Sequence, residues 1–247
     1  MKQLRIMAMA MLAVSVLFTA CDKDDDDDDD DPGPTPQTRS VNLTVVPVIG
    51  DTPVDLDTEY TLNGVQVEFS FLKFYVSDLA LKNDADETLA DNDGKVILVD
   101  TEGTATEIGS TQEDHFHMME LSVGLNDDLN DNDPTVAEAP LNDPGMHWAW
   151  NPAAGYKFVR MEGMIDGQMF SYHAATDALF RSGMMVDAHS ISVDDADDSI
   201  DLSLEVDLNH VFMGMTLEAG TKHGNVPFNR SMMDNFGSGM PFDLQSN

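Results

Sequence analysis

The chain has 247 residues, with 46 Asp and Glu against 12 Lys and Arg, a formal net charge of −34. So acidic a surface repels nucleic acid and anionic lipid, which excludes both as direct ligands. The single cysteine, Cys21, excludes an intrachain disulfide and any site built on several thiolates.

Residues 1–20 read as a lipoprotein signal peptide. Lys2 and Arg5 form a basic start, Ile6 to Phe18 is apolar, and Leu17-Phe18-Thr19-Ala20-Cys21 is close to a lipobox, with Cys21 as the lipidated residue. The apolar run falls short of the ~20 residues that span a bilayer. Residues 21–40 read as a tether. Asp24 to Asp31 repel one another and stay solvated, and the prolines from Pro32 to Pro36 stiffen the spacer. An acidic stretch directly after the lipidated cysteine resembles the surface-export signal of Bacteroidetes lipoproteins; a plain solubilising spacer is the other reading. The expectation is an outer-membrane lipoprotein of the cell envelope, attached by its lipid alone and facing either the surface or the periplasm.

Residues 41–247 read as one domain. Residues 1–39 hold nine acidic and four basic side chains, which leaves 37 acids and 8 bases, a net −29, so the domain is itself acidic and suits a cation or simple solubility. In chain order, "GVQVEFSFLKFYVSDLALK" is long enough for two strands or one bent by a bulge, and "KVILVD", "MMELSVGL", "YKFVRMEG" and "QMFSYHAA" add further strands. "SIDLSLEVDLN" alternates throughout, with Ile200, Leu202, Leu204, Val206 and Leu208 on one face. Arg230 to Phe236 can form a helical turn or more. Turn signals such as "NDADETLADNDGK" and "LNDDLNDNDP" separate the strands. The predicted fold is all-β, an antiparallel β-sandwich of short strands with long acidic loops. "DNDG", Asp91 to Gly94, offers ligands for a hard cation but lacks the remainder of an EF-hand loop, and Asp-Gly there signals a hairpin.

Soft and borderline metal ligands are the unusual feature. Thirteen methionines lie beyond the signal, several beside histidines: His117-Met118-Met119, Met146-His147, and Met213 and Met215 after His210. Thioether and imidazole together suit copper, Cu(I) above all; methionine also fills irregular core gaps. On an unbroken strand His115 and His117 share the face of Leu121 and Val123 and point inward, whereas a bulge at the paired methionines would turn them outward. Trp148 and Trp150, two apart on an extended segment, face one way and His147 the other, and aromatic bulk favours burial of both indoles. No Gly-x-Ser-x-Gly elbow, His-Glu-x-x-His motif or phosphate-cradling loop is present, so nothing in the sequence supports an enzyme.

"GMHWAWNPAAGYKFVRMEG", Gly145 to Gly163, resembles the signature of MbnP-like copper-binding proteins. "YTLNGVQVEFSFLKFYVSDLALK", "VILVD", "ELSVGLNDDLN", "MFSYHAA" and "MMDNFGSGMPF" align with that family in the same order, over roughly residues 41–244. The resemblance implies an exported β-sandwich that binds copper through histidines and a kynurenine. A MauG-type diheme peroxidase partner makes that kynurenine from a tryptophan. An indole nitrogen is a donor only; opening the ring exposes an amine and a ketone that can coordinate. On this basis His173, in "FSYHAA", is the first metal-ligand candidate, His147 or the pair His115 and His117 would complete the set, and Trp148 or Trp150 is the residue modified. The alternative is a metal-free surface sandwich for adhesion or for binding carbohydrate or protein, in which exposed tryptophans form the platform. Tryptophans packed beside converging histidines separate copper from that reading.

Overall fold

The computed structural model describes residues 37–246 apart from 93, 114, 149, 152, 153 and 193–196, and the side chains of 189, 190 and 192 are also outside the description. The signal peptide, Cys21 and nearly all of the tether lie outside the described residues. Fourteen strands are assigned among them. They are β1 (Arg39–Ile49), β2 (Thr52–Pro53), β3 (Glu59–Leu62), β4 (Val65–Lys82), β5 (Thr88–Asp91), β6 (Val96–Val99) and β7 (Thr106–Thr111). The rest are β8 (His115–Val123), β9 (Lys157–Ile165), β10 (Gln168–Ala175), β11 (Arg181–Ser192), β12 (Ser199–Asp207), β13 (Gly220–His223) and β14 (Phe242–Ser246). The first strand starts at Arg39, inside the segment read as tether, because Val41, Leu43 and Val45 alternate into the core.

Two sheets form the sandwich. The smaller runs β14-β12-β1-β2 with β7 on β1, and the larger runs β11-β8-β4-β9-β10-β13 with β3, β5 and β6 on β4. Between them lie the apolar faces that alternation predicts: Ile200, Leu202, Leu204 and Val206 from β12 meet Phe69, Phe74, Met161 and Tyr172 of the larger sheet in one buried cluster. Each such side chain contributes roughly 1.5–3 kcal/mol over leaving it in water.

The long apolar segment takes the second of its two expected forms, one 18-residue strand, β4, with register shifts at Phe69/Phe71 and Ser77/Ala80. The architecture departs from the expectation in three places. Pairing is not wholly antiparallel, since β1 runs parallel to β12 and β10 parallel to β13. Asp91 to Gly94 is no hairpin: β5 and β6 both pair with β4, and Asn92 bridges the step between them by donating from its side chain to the Lys95 carbonyl at 2.6 Å. Finally, β12 ends at Asp207, whose carboxylate caps a short helix, α1 of the text that follows (Leu208–Val211), so Leu208 is buried from a helix rather than a strand.

The helix expected near Arg230 extends over Pro227–Gly237 and is named α2 here. Proline at its first turn is tolerated because that N–H has no intrahelical acceptor. Met232, Met233 and Phe236 bury its apolar side, and Asn229 on the same helix is fully buried. No helix among the described residues is long and apolar enough to cross a membrane.

Candidate metal centre

Three rows of side chains cross the outer face of the larger sheet, each fixed by strand register. Lys73, Arg160, His173 and His223 form one row across β4, β9, β10 and β13. Phe71, Glu162, Ser171 and Thr221 form the next, and Glu68, Met164 and Met169 a third. Because side chains alternate along a strand, residues two apart share this face while Met161, Phe170 and Tyr172 point into the core. His173 and His223 are thus direct neighbours on parallel strands. Their rings stack 4.2 Å apart, inclined by 5°.

Helix α2 holds this pairing from beneath. Asn229 donates from its side chain to the carbonyls of His173 (2.9 Å), Lys222 (3.0 Å) and Gly224 (2.8 Å), which joins β10 to β13 at the level of the two rings. A backbone bond from the Gly224 N–H to the His173 carbonyl at 2.8 Å adds to the clamp.

Above the rings lies the segment Asp143 to Trp148. Asp143 forms an ion pair with Lys73 at 2.8 Å and accepts the Gly145 N–H at 2.7 Å. Arg160 donates to the Gly145 carbonyl at 2.8 Å, and Lys157 donates to the carbonyls of His147 (2.6 Å) and Gly145 (3.2 Å). Gly145 must be small: a Cβ there would sit 2.9 Å from Asp143 Oδ1 and 3.0 Å from the Phe71 ring. Met146 is fully buried, whereas Trp148 is half-buried with its ring 5.7 Å from both His173 and His223. The Lys157 ammonium lies 4.7 Å from the Trp148 ring centre. Trp150 stacks at a tilt on Trp148, 6.0 Å away, yet is 77% exposed.

The electrostatics select a neutral imidazole. Burial pushes His173 down to about 4, an effect that the hydrogen bond to Glu162 offsets only in part and that His223 reinforces. Burial alone would raise Glu162, but hydrogen bonds from Arg160 and His173 outweigh it and draw the carboxyl down to about 2. Arg160 grips Glu162 with two bonds of 3.0 and 2.9 Å. At neutral pH the 2.6 Å contact between His173 Nε2 and Glu162 Oε1 is therefore a neutral N–H donated to a carboxylate. That contact leaves the lone pair on Nδ1, which is buried without a hydrogen-bond partner. Ser171 Oγ lies 3.0 Å from His173 Nε2 and 3.2 Å from His223 Nε2. Burial lowers His223 too, and pushes Lys157 down to about 8.

The MbnP family model matches residues 38–233. The chain belongs to the MbnP family. MbnP from Methylosinus trichosporium has a similar fold at 16% identity and a TM-score of 0.52, over 85% of this chain and 99% of that one. Comparison with curated proteins finds no match.

This MbnP-family chain unites some of the predicted site residues and separates others. His173 and Trp148 meet, and Trp150 touches Trp148 alone of the site's rings. His147 contributes its carbonyl to Lys157 and a backbone bridge to Tyr156. His115 and His117 do not share the site. Phe116 between them is fully buried, and His117 is 41% exposed and pairs with Asp84 at 3.1 Å, so the inward orientation of an unbroken strand is corrected and the outward alternative holds. Their end of β8 pairs with β4 at Lys82, nine residues beyond the Lys73 of the His173 row, roughly 30 Å of extended chain. His223, Ser171, Glu162 and Asn229 were not singled out from sequence. "MEG", Met161 to Gly163, was visible as the end of a family motif; its physical reason is that any Cβ at Gly163 would collide with the Glu68 carbonyl.

The donor types suit a soft or borderline ion: two neutral imidazoles, one oriented by a carboxylate on its other nitrogen as metal-binding histidines commonly are. Two parallel stacked rings do not aim at one point, and among the described residues no group of three or more His, Cys, Asp or Glu is arranged to hold an ion. Ser171 and Trp148 both lie beside the two rings.

Proposed function

We propose that this protein is an outward-facing envelope lipoprotein, anchored through Cys21, that captures copper and catalyses no reaction. His173 and His223 would supply imidazole ligands, and Trp148, oxidised to kynurenine by a MauG-type diheme peroxidase, a further donor. The observation that carries this reading is the position of Trp148, within 5.7 Å of two stacked histidines whose environment keeps them neutral. An intact indole offers no lone pair in its plane. An opened ring would bring an amine and a ketone beside both imidazoles, where His173 Nδ1 has no hydrogen-bond partner. Trp150 is far more exposed and makes no ring contact with either histidine, which favours Trp148 as the modified residue.

Protein purified from its native host tests this by metal content, intact mass and peptide mapping. The expected result is one copper per chain and a gain of two oxygen atoms less one carbon monoxide on the Trp148 peptide. Copper-free protein with unmodified tryptophans would reject the proposal and leave a metal-free surface sandwich, for which Trp150 is the obvious contact.

A further inference from the structure

Methionines in this chain fall into two groups. Met119, Met146, Met161, Met232 and Met233 are fully buried and fill the core, whereas Met169 is 77% and Met164 36% exposed. These two are not scattered. They stand directly opposite one another where β9 and β10 approach the Asp166-Gly167 turn, in the same row as Glu68. Cβ atoms of directly opposed residues are about 4.5–5.5 Å apart. With three rotatable bonds in each side chain, two thioethers at that spacing can converge on one ion.

Register also relates the pair to the histidines. Counting along β10, Met169, Ser171 and His173 share the outer face; along β9, Met164, Glu162 and Arg160 do so. The thioethers thus lie two steps from the His173 row, about 13–14 Å by the strand rise. The geometry points to a second, weaker soft-cation site at Met164 and Met169, open to solvent and selective for Cu(I). Thioethers are soft and neutral, so they discriminate against Ca²⁺ and Mg²⁺ and do not compete with protons. Glu68, beside Met164, attracts a cation without offering soft donors. The site itself stands independently of the histidine centre; its use as a loading station for that centre rests on the copper reading above.

Full-length protein carrying [methyl-¹³C]methionine, titrated with Ag(I) as an air-stable substitute for Cu(I), provides the test. The Met164 and Met169 methyl signals are expected to move together, complete at one ion per pair, and before those of the exposed Met185, Met213 and Met240. Met164→Leu, a change at a solvent-facing position, should weaken the Met169 response at least tenfold. Responses no tighter than those of the other exposed methionines, or a Met169 response indifferent to Met164→Leu, would overturn the site. The same titration of the His173→Ala/His223→Ala variant separates the two proposals: the methionine response should persist there. If the native protein lacks copper but the pair still binds Ag(I), only the histidine reading fails.

Discussion

Two histidine pairs in this molecule look alike in composition and differ in every physical respect. His115 and His117 are two residues apart on one strand. His173 and His223 are fifty residues apart in the chain, yet their rings touch because β10 and β13 run parallel in register. Residues i and i+2 of a strand are about 6.5–7 Å apart, whereas neighbours across a ladder are about 4.8 Å apart. Proximity along the chain is therefore the poorer guide to a chelating pair. Cover differs as well. The Trp148 segment, pinned by Lys157 and Arg160, lies over His173, which is 7% exposed, while His117 pairs with Asp84 at a half-open surface.

The sharpest way to break this contrast is to remove each pair in turn. His173→Ala/His223→Ala should abolish copper retention against a competing chelator, whereas His115→Ala/His117→Ala should leave it unchanged. Metal content after dialysis measures both. Equal losses in the two variants would show that cover and register do not distinguish the pairs.

A second difference appears in acid. The ordinary histidine value is 6.5, and His173 in the fold is held near 4. Above pH 6.5 the ring is neutral in both folded and unfolded chains, so the full stability is present. As pH falls from 6.5 towards 4 the unfolded chain takes up a proton that the folded one refuses, and stability drops by roughly 3 kcal/mol at most. Glu162, held near 2 against an ordinary 4.5, adds its own loss in the lower window from 4.5 to 2. Denaturant titrations of metal-free protein across this range should show the upper loss, and His173→Gln should remove it relative to the wild type. Relief of repulsion among the many carboxylates is common to both proteins and cancels in the difference. A parallel pH profile for wild type and variant would contradict the buried, neutral imidazole.

The same contrast explains how much of the molecule the sequence reveals. Strand alternation made β12 visible, because a half-buried strand writes its two faces in period two, whereas β9 and β10 showed through their β-branched and aromatic residues. β13 has only four residues, none of them buried, and carries no such signal. His223 was hidden for that reason: a parallel partner fifty residues away leaves no local pattern. His173 was reached through "FSYHAA", a resemblance, while its physical support in Glu162 depends on register between β9 and β10. The turn at Asp91 to Gly94 failed differently. Asn92 satisfies the Lys95 carbonyl with its side chain, and β4 offers both β5 and β6 a longer partner than either offers the other. The expected burial of both indoles is corrected: Trp148 is half-buried against the two histidines, whereas Trp150 is 77% exposed, a division that depends on which ring the fold covers.

The smallest expected effect tests whether α2 positions the histidines or merely packs beneath them. Asn229 and Asn235 both lie on that helix and both donate to backbone carbonyls, Asn229 to His173, Lys222 and Gly224, Asn235 to Val211 and Met213. Either asparagine changed to alanine leaves carbonyls without a donor and should cost about 1–3 kcal/mol of stability. Only Asn229→Ala releases the β10–β13 junction that sets the ring spacing, so it alone should weaken copper binding, by about tenfold, as loss of an orienting neighbour commonly does. The imidazole signals of His173 and His223 should move in Asn229→Ala and stay in place in Asn235→Ala. If both variants lose stability and neither shifts those signals, the helix is a structural support, and strand register by itself fixes the two rings.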